Sequence, residues 1–143
     1  MDDRLSDKES IRDRKAKYCR FLDTKQFDKW EGLFAPDARA TFYGPDGATL
    51  LDMSITELSP LTRKLFASTR TVHQTHNSEI EFVSSNEARA IWAMEDWHVY
   101  TPTPENPSKF LHGYGFYDET WRLIGDEWVI ARIELRRTIL DRG

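Results

Sequence analysis

Cysteine is nearly missing from this chain of 143 residues: Cys19 stands alone. That excludes an internal disulfide and any cysteine-rich metal centre. No apolar run approaches the ~18–20 residues a membrane-crossing helix requires. A basic excess is lacking too, since 20 Lys and Arg stand against 24 Asp and Glu for a net charge of −4. This balance speaks against nucleic acid or an anionic membrane surface as a partner. The opening MDDRLSDKES is charged with no apolar stretch, so no leader is predicted and a cytoplasmic location is expected. Glycine-rich phosphate loops, the GxSxG elbow and zinc signatures are absent, which leaves nucleotide cofactors, serine hydrolysis and a metal centre without support. The expectation is therefore a protein without a cofactor. Repeats and linkers are missing as well, and the length fits one domain over residues 1–143, with 1–8 expected to be flexible.

What the chain does hold in quantity is aromatic side chains: five Trp, five Tyr and eight Phe. That is enough to line a pocket as well as fill a core. After Ser10, the residues Ile11, Lys15, Tyr18 and Leu22 fall at spacings of three and four, which predicts a helix with one inward face. Cys19 lies in that helix and reads as buried rather than nucleophilic. A second helix is predicted over 25–34, with Phe27, Trp30, Leu33 and Phe34 as its stripe, and a short strand over 38–43. The segment GPDG at 44–47 is a turn signal, and a third helix over 54–67 must accommodate Pro60. Beyond residue 68 the period changes to two. Four extended runs follow at 69–83, 88–101, 110–124 and 127–140, joined by hairpin connectors and one proline-rich loop at 101–107. Helices followed by adjacent long strands predict an α+β domain whose twisted, mostly antiparallel sheet curls around the helices to leave a cavity.

Alternation sorts each strand into two faces. Trp92, Met94, Asp96 and His98 share one side of the second run. His112, Tyr114 and Phe116 share one side of the third and are expected to face the cavity. Ile133, Leu135 and Arg137 align on the last. Asp96 and Arg137 are charges on otherwise apolar faces, and each requires a partner, water or a chemical task. Trp97, Tyr117, Trp121 and Ile91 fall on the opposite faces, where exposed aromatic surface predicts self-association. His73 and His76 are separated by an odd step and point to opposite faces, so they do not make a joint metal site. The polar flank RTVHQTHN at 70–77 singles out His73. A neutral imidazole is a suitable proton acceptor once a carboxylate fixes its tautomer. Asp23, at the end of the first helix, is either that carboxylate or a polar residue at a helix corner.

Four segments carry a resemblance to a known family. FLDTKQFDKWEGLFAPDA (21–38), TVHQTHNSEI (71–80), AIWAMED (90–96) and LHGYGFYDET (111–120) resemble SnoaL-like proteins of the nuclear-transport-factor-2-like superfamily. The branch they are most similar to contains scytalone dehydratase, bile acid 7-alpha-dehydratase and a hexachlorocyclohexane dehydrochlorinase. The resemblance implies a cone-shaped α+β barrel, an apolar pocket and elimination chemistry without a cofactor. It implies His73 as the base, Asp23 as the residue orienting it, and Tyr18 and Asp96 as pocket residues with catalytic roles. His112 and Arg137 would bind substrate, with Trp92, Tyr114 and Phe116 lining the wall. The expected activity is a dehydratase-type lyase on a small apolar hydroxylated ring compound. An isomerase or polyketide cyclase using the same base, or a binding domain without catalysis, are the alternatives. A dimer or trimer is expected.

Overall fold

The computed structural model describes residues 4–143. Helix α1 spans Leu5–Asp23, a short α2 spans Phe27–Glu31, and strand β1 runs Phe34–Tyr43. Strand β2 (Thr49–Ser54) returns beside it, and α3 (Ile55–Phe66) leads to four long strands: β3 (Arg70–Ser84), β4 (Glu87–Val99), β5 (Phe110–Ile124) and β6 (Glu127–Arg142). Residues 5–8 belong to α1 and are helical, contrary to the expected flexible lead; residues 1–3 lie outside the described part. The second helix is shorter than its apolar stripe suggested. Phe34 pairs with Ile130 as the start of β1, because a sheet partner was available that local periodicity does not reveal. Strand β2, half exposed and without a clear alternation, was not visible in the sequence.

All six strands form one sheet in the order β2-β1-β6-β5-β4-β3. Every neighbouring pair is antiparallel except β1 and β6, which run parallel. The sheet is strongly curved and unclosed, and the helices pack in its hollow. Bulges explain part of the bend: β3 breaks register between His76 and Glu79, where Asn77 adopts a positive φ of 49°. β5 and β6 shift at Tyr114/Gly115 and again at Thr120/Trp121. Between β1 and β2 the predicted turn closes with Gly47 N–H donating to the Gly44 carbonyl. Helix α3 starts where Ser54 Oγ accepts from Glu57 N–H, and it carries Pro60 in its second turn. Among the described residues, no helix is long and apolar enough to cross a membrane.

The inward face of α1 holds an ion pair. Lys15 and Glu119, both fully buried, meet at 2.5 Å, and the Lys15 ammonium lies 3.7 Å from the ring centres of Tyr18 and Tyr117. Glu119 also accepts from the indole N–H groups of Trp92 (2.7 Å) and Trp121 (2.9 Å). The carboxylate is thus satisfied by three donors, and α1 is pinned to β5 and β4. Breaking a buried pair on one side leaves a charge with no solvent. Lys15→Met is therefore expected to lower unfolding free energy by about 3–5 kcal/mol. Adding Glu119→Gln, which removes the orphaned charge and keeps an acceptor for the indoles, restores most of the loss. Urea unfolding of the parent and the two variants checks this.

Candidate active site

Helix α1 ends at Asp23, and its carboxylate is held by three groups on β3. Thr71 Oγ1 and His73 Nδ1 reach Oδ1 at 2.9 and 2.7 Å, and the His73 backbone N–H donates to Oδ2 at 2.9 Å. A carboxylate only accepts, so Nδ1 carries a proton, and in the neutral imidazole Nε2 keeps its lone pair. His73 is buried and lines the hollow between helices and sheet. Lys25, whose φ is 58°, donates through Nζ to the carbonyls of Phe66 and Thr69, tying the helix corner to the start of β3.

Facing His73 is a second group. Asp96 on β4 receives a two-pronged bond from Arg137 on β6, Nη1 to Oδ1 at 2.7 Å and Nη2 to Oδ2 at 2.9 Å, and His98 Nε2 lies 3.0 Å from Oδ2. Burial works to raise the Asp96 carboxyl, but the bonds from Arg137 and His98 outweigh it and hold it well below 3.8. The same acceptor logic places the His98 proton on Nε2. The rings of His73 and His98 are 5.5 Å apart between centres, with Phe66 against both. Tyr18 and Tyr117 form the floor. Burial pushes both phenols well above 10, Tyr18 further through the Glu119 charge and Tyr117 through Tyr18, so both stay protonated donors.

The inner chamber has a volume of about 70 Å³. It opens past Phe42, Leu58, Thr62, Phe66, His98 and Arg137 into an outer vestibule of about 480 Å³ between α3 and the loop after β4. The vestibule is lined by Leu51, Leu61 and Leu65 on one side and by Tyr100, Thr103 and Asn106 on the other. His73, Asp96 and His98 offer donor atoms within 4.8 Å of one another. Both Asp96 oxygens are already bound by a guanidinium, however, whose charge opposes a cation beside it. The donor set fits proton transfer better than metal binding.

Of the expected residues, His73, Asp23, Tyr18, Asp96 and Arg137 come together here. Four others do not. His112, Tyr114 and Phe116 lie on the outer face of β5: His112 stacks on Trp97 at 3.7 Å and its Nε2 is 2.6 Å from Glu95. Trp92 is buried against Glu119 rather than lining the chamber. Conversely, Tyr117 and Trp121, expected outside, are buried inside. The reason is register. Asp96 pairs with Gly113 and Trp97 with His112, and directly opposed residues share a face. Inward β5 positions near the site are glycines because something crosses them. A Cβ at Gly113 would fall 2.1 Å from Arg137 Nη1 and 3.0 Å from Asp96 Oδ1, and one at Gly115 would strike the β6 backbone at 2.2 Å. Arg137 on β6 reaches β4 only because β5 leaves that lane empty. With Arg137 and His98 bound, Asp96 is a carboxylate. His98 was missed as a site residue, although its i+2 spacing from Asp96 put it on the right face.

Gly113→Ala is expected to fold, since the clash is with the mobile end of an arginine, but to dislodge the guanidinium from Asp96. A crystal structure or the side-chain ¹⁵N resonances of Arg137 would report this. Because the folded-state carboxyl of Asp96 is depressed, its contribution to stability is present above pH 3.8 and is lost as pH falls below it. Acid unfolding of Asp96→Asn is therefore expected to be less steep below about pH 4 than that of the parent, measured by circular dichroism.

With this geometry the comparisons with known proteins agree in fold. A candidate scytalone dehydratase from Novosphingobium aromaticivorans superposes with a TM-score of 0.81 at 24% identity, covering 96% of this chain and 87% of its own. The hexachlorocyclohexane dehydrochlorinase LinA-type3 from Novosphingobium barchaimii gives 0.78 at 16% identity, covering 99% and 92%. In sequence, probable cyclase FGR4 of Gibberella zeae is 29% identical over 136 residues, 89% of this chain and 88% of the relative. Residues 3–134 match the SnoaL-like domain, and the chain belongs to that family.

Proposed function

We propose that the protein is a cofactor-independent lyase that removes water from a small apolar hydroxylated ring compound. The observation that carries this reading is the His73–Asp23 pair. The imidazole is fixed by a 2.7 Å bond at Nδ1, so its free Nε2 faces a chamber walled by Phe66, Leu22 and Tyr117. In that apolar setting a neutral imidazole accepts a proton from a carbon acidified by a neighbouring carbonyl, and Asp23 stabilises the imidazolium that forms. The departing hydroxyl then needs a proton. His98, 5.5 Å across the chamber with its proton bonded to the Asp96 carboxylate, orients that hydroxyl as an acceptor, and the His73 imidazolium returns the proton to it. Asp96 and Arg137 act by holding His98 and neutralising each other. Proton balance is simple: the proton leaves carbon for His73 and leaves His73 with the hydroxyl as water, and a double bond forms between the two carbons.

The fungal relative's name supports a second reading, in which the same base generates an enolate that closes a ring. The two are separable by mass. Incubating the protein with a panel of hydroxylated cyclic ketones and following products by mass spectrometry is expected to show loss of one water. Products isomeric with the starting compound would favour cyclisation. In either case His73→Ala and Asp23→Asn are expected to slow turnover by ~10²–10⁴-fold. A change of only a few-fold in His73→Ala would remove the base from its assigned role.

A second copy of this chain is the proposed partner of the outer sheet face. Trp97, Tyr114, Phe116 and Ile139 are 37–57% exposed there. Sedimentation of the parent is expected to give a dimer or trimer, and Phe116→Asp to shift it to monomer.

A further inference from the structure

Strand β4 sends a line of side chains from the chamber out into the vestibule. Asp96, His98 and Tyr100 fall two residues apart, and the pairing carries past the end of β4, where Tyr100 N–H donates to the Lys109 carbonyl at 2.9 Å. Asp96 is spent on Arg137 and His98, and His98 is bonded to Asp96 through Nε2. Tyr100 is the member of the line without a partner. Its ring meets His98 edge-on, with centres 6.4 Å apart and planes at 80°, and it stands half-buried on the vestibule wall. Among the described residues, none hydrogen-bonds its hydroxyl. Burial raises the phenol above 10, so the oxygen keeps its proton and can donate. Neighbouring hydroxyls show the contrast: Thr103 Oγ1 accepts from Asn106 N–H at 3.0 Å, and Thr69 Oγ1 donates to the Leu65 carbonyl at 2.8 Å.

Size decides which part of a ligand meets Tyr100. The inner chamber holds about 70 Å³, whereas a dry cavity that takes up benzene measures ~150 Å³. A substituted ring therefore enters between His73 and His98 only in part, and the remainder lies in the vestibule, with Leu61 and Leu65 on one side and Tyr100 on the other. We infer that the Tyr100 hydroxyl is a specificity contact, bonding a hydroxyl or carbonyl oxygen carried by the part of the substrate that does not react. The inward direction of the reacting end rests on the lyase reading; the contact adds an oxygen function separate from the hydroxyl that departs. The substrate body is then apolar towards α3 and oxygenated towards the loop after β4. A wholly apolar body would expel water from the phenol and leave it unbonded, which disfavours such a ligand.

Ethylbenzene, 3-ethylphenol and 4-ethylphenol, which differ by one hydroxyl, test this when titrated into protein labelled with ¹³C at tyrosine Cζ. The Tyr100 resonance is assigned from its loss in Tyr100→Phe. At least one ethylphenol is expected to move that resonance more than ethylbenzene does, and to bind about 5-fold more tightly, the size of one neutral hydrogen bond. Tyr100→Phe is expected to abolish the preference for the phenol and to leave ethylbenzene affinity unchanged. Thr62→Val, which removes a hydroxyl from the neck between chamber and vestibule, is expected to keep the preference. A Tyr100 resonance that neither phenol moves, or equal affinities for all three probes, overturns the inference. So does a preference that survives Tyr100→Phe, or one that is lost in Thr62→Val alone. None of these readouts needs turnover, so a failed lyase assay and a failed contact are told apart.

Discussion

Every carboxylate placed inside this hollow must bring its own donors, and the rest of the site follows from that constraint. Three acidic groups point inward, and each is matched: Glu119 by Lys15, Asp96 by Arg137, Asp23 by the imidazole of His73 and two further donors. An isolated carboxylate in such surroundings would be neutralised by taking up a proton. Paired, these carboxyl groups become fixed anchors for neighbouring hydrogen bonds. What is left unspent in the chamber is the second nitrogen of each of two imidazoles, together with two phenols. Neutral donors and acceptors exchange protons with a substrate without first having to release an ion partner.

The pairs also explain why distant parts of the chain have the residues they do. Asp96 reaches its cation across an intervening strand, so β5 must be bare where the guanidinium passes, and Gly113 and Gly115 make it so. The aromatic residues that alternate with them, His112, Tyr114 and Phe116, are thereby turned to the outer face. One electrostatic requirement in the interior thus sets the composition of both faces of a strand.

Much of this was legible in the sequence and some was not, for physical reasons. Period-two alternation after residue 68 identified all four long strands, because strands with one solvated face print their geometry on every second residue. The family motifs led to Asp23 and His73, which the fold brings to 2.7 Å. Alternation alone says which residues share a face but not which face is inside. On β5 the aromatic set looked like the wall and the glycine set looked empty, and the choice between them depends on a partner strand's register. β2 escaped notice because six half-exposed residues carry no burial pattern. Glu119 was hidden for the opposite reason: a charged residue at the centre of a core contradicts every periodic rule until the lysine and two indoles that satisfy it are seen together.

Helix α1 joins stability to chemistry. Lys15, Tyr18 and Asp23 project from its inward half, to the core, the chamber floor and the base in turn. The spacing of three and five residues spreads them along some 12 Å of helix, at 1.5 Å per residue. Displacing the helix along its axis by even one residue would uncouple all three at once. The buried ion pair at one end therefore resists the motion that would misplace Asp23 at the other. A charged pair in that position adds little to net stability compared with a well-packed apolar pair, but it defines a single depth and rotation for the helix, which apolar contacts define less sharply. On this argument the lysine is retained for register: the site tolerates a less stable core in return for a helix that can dock in only one way.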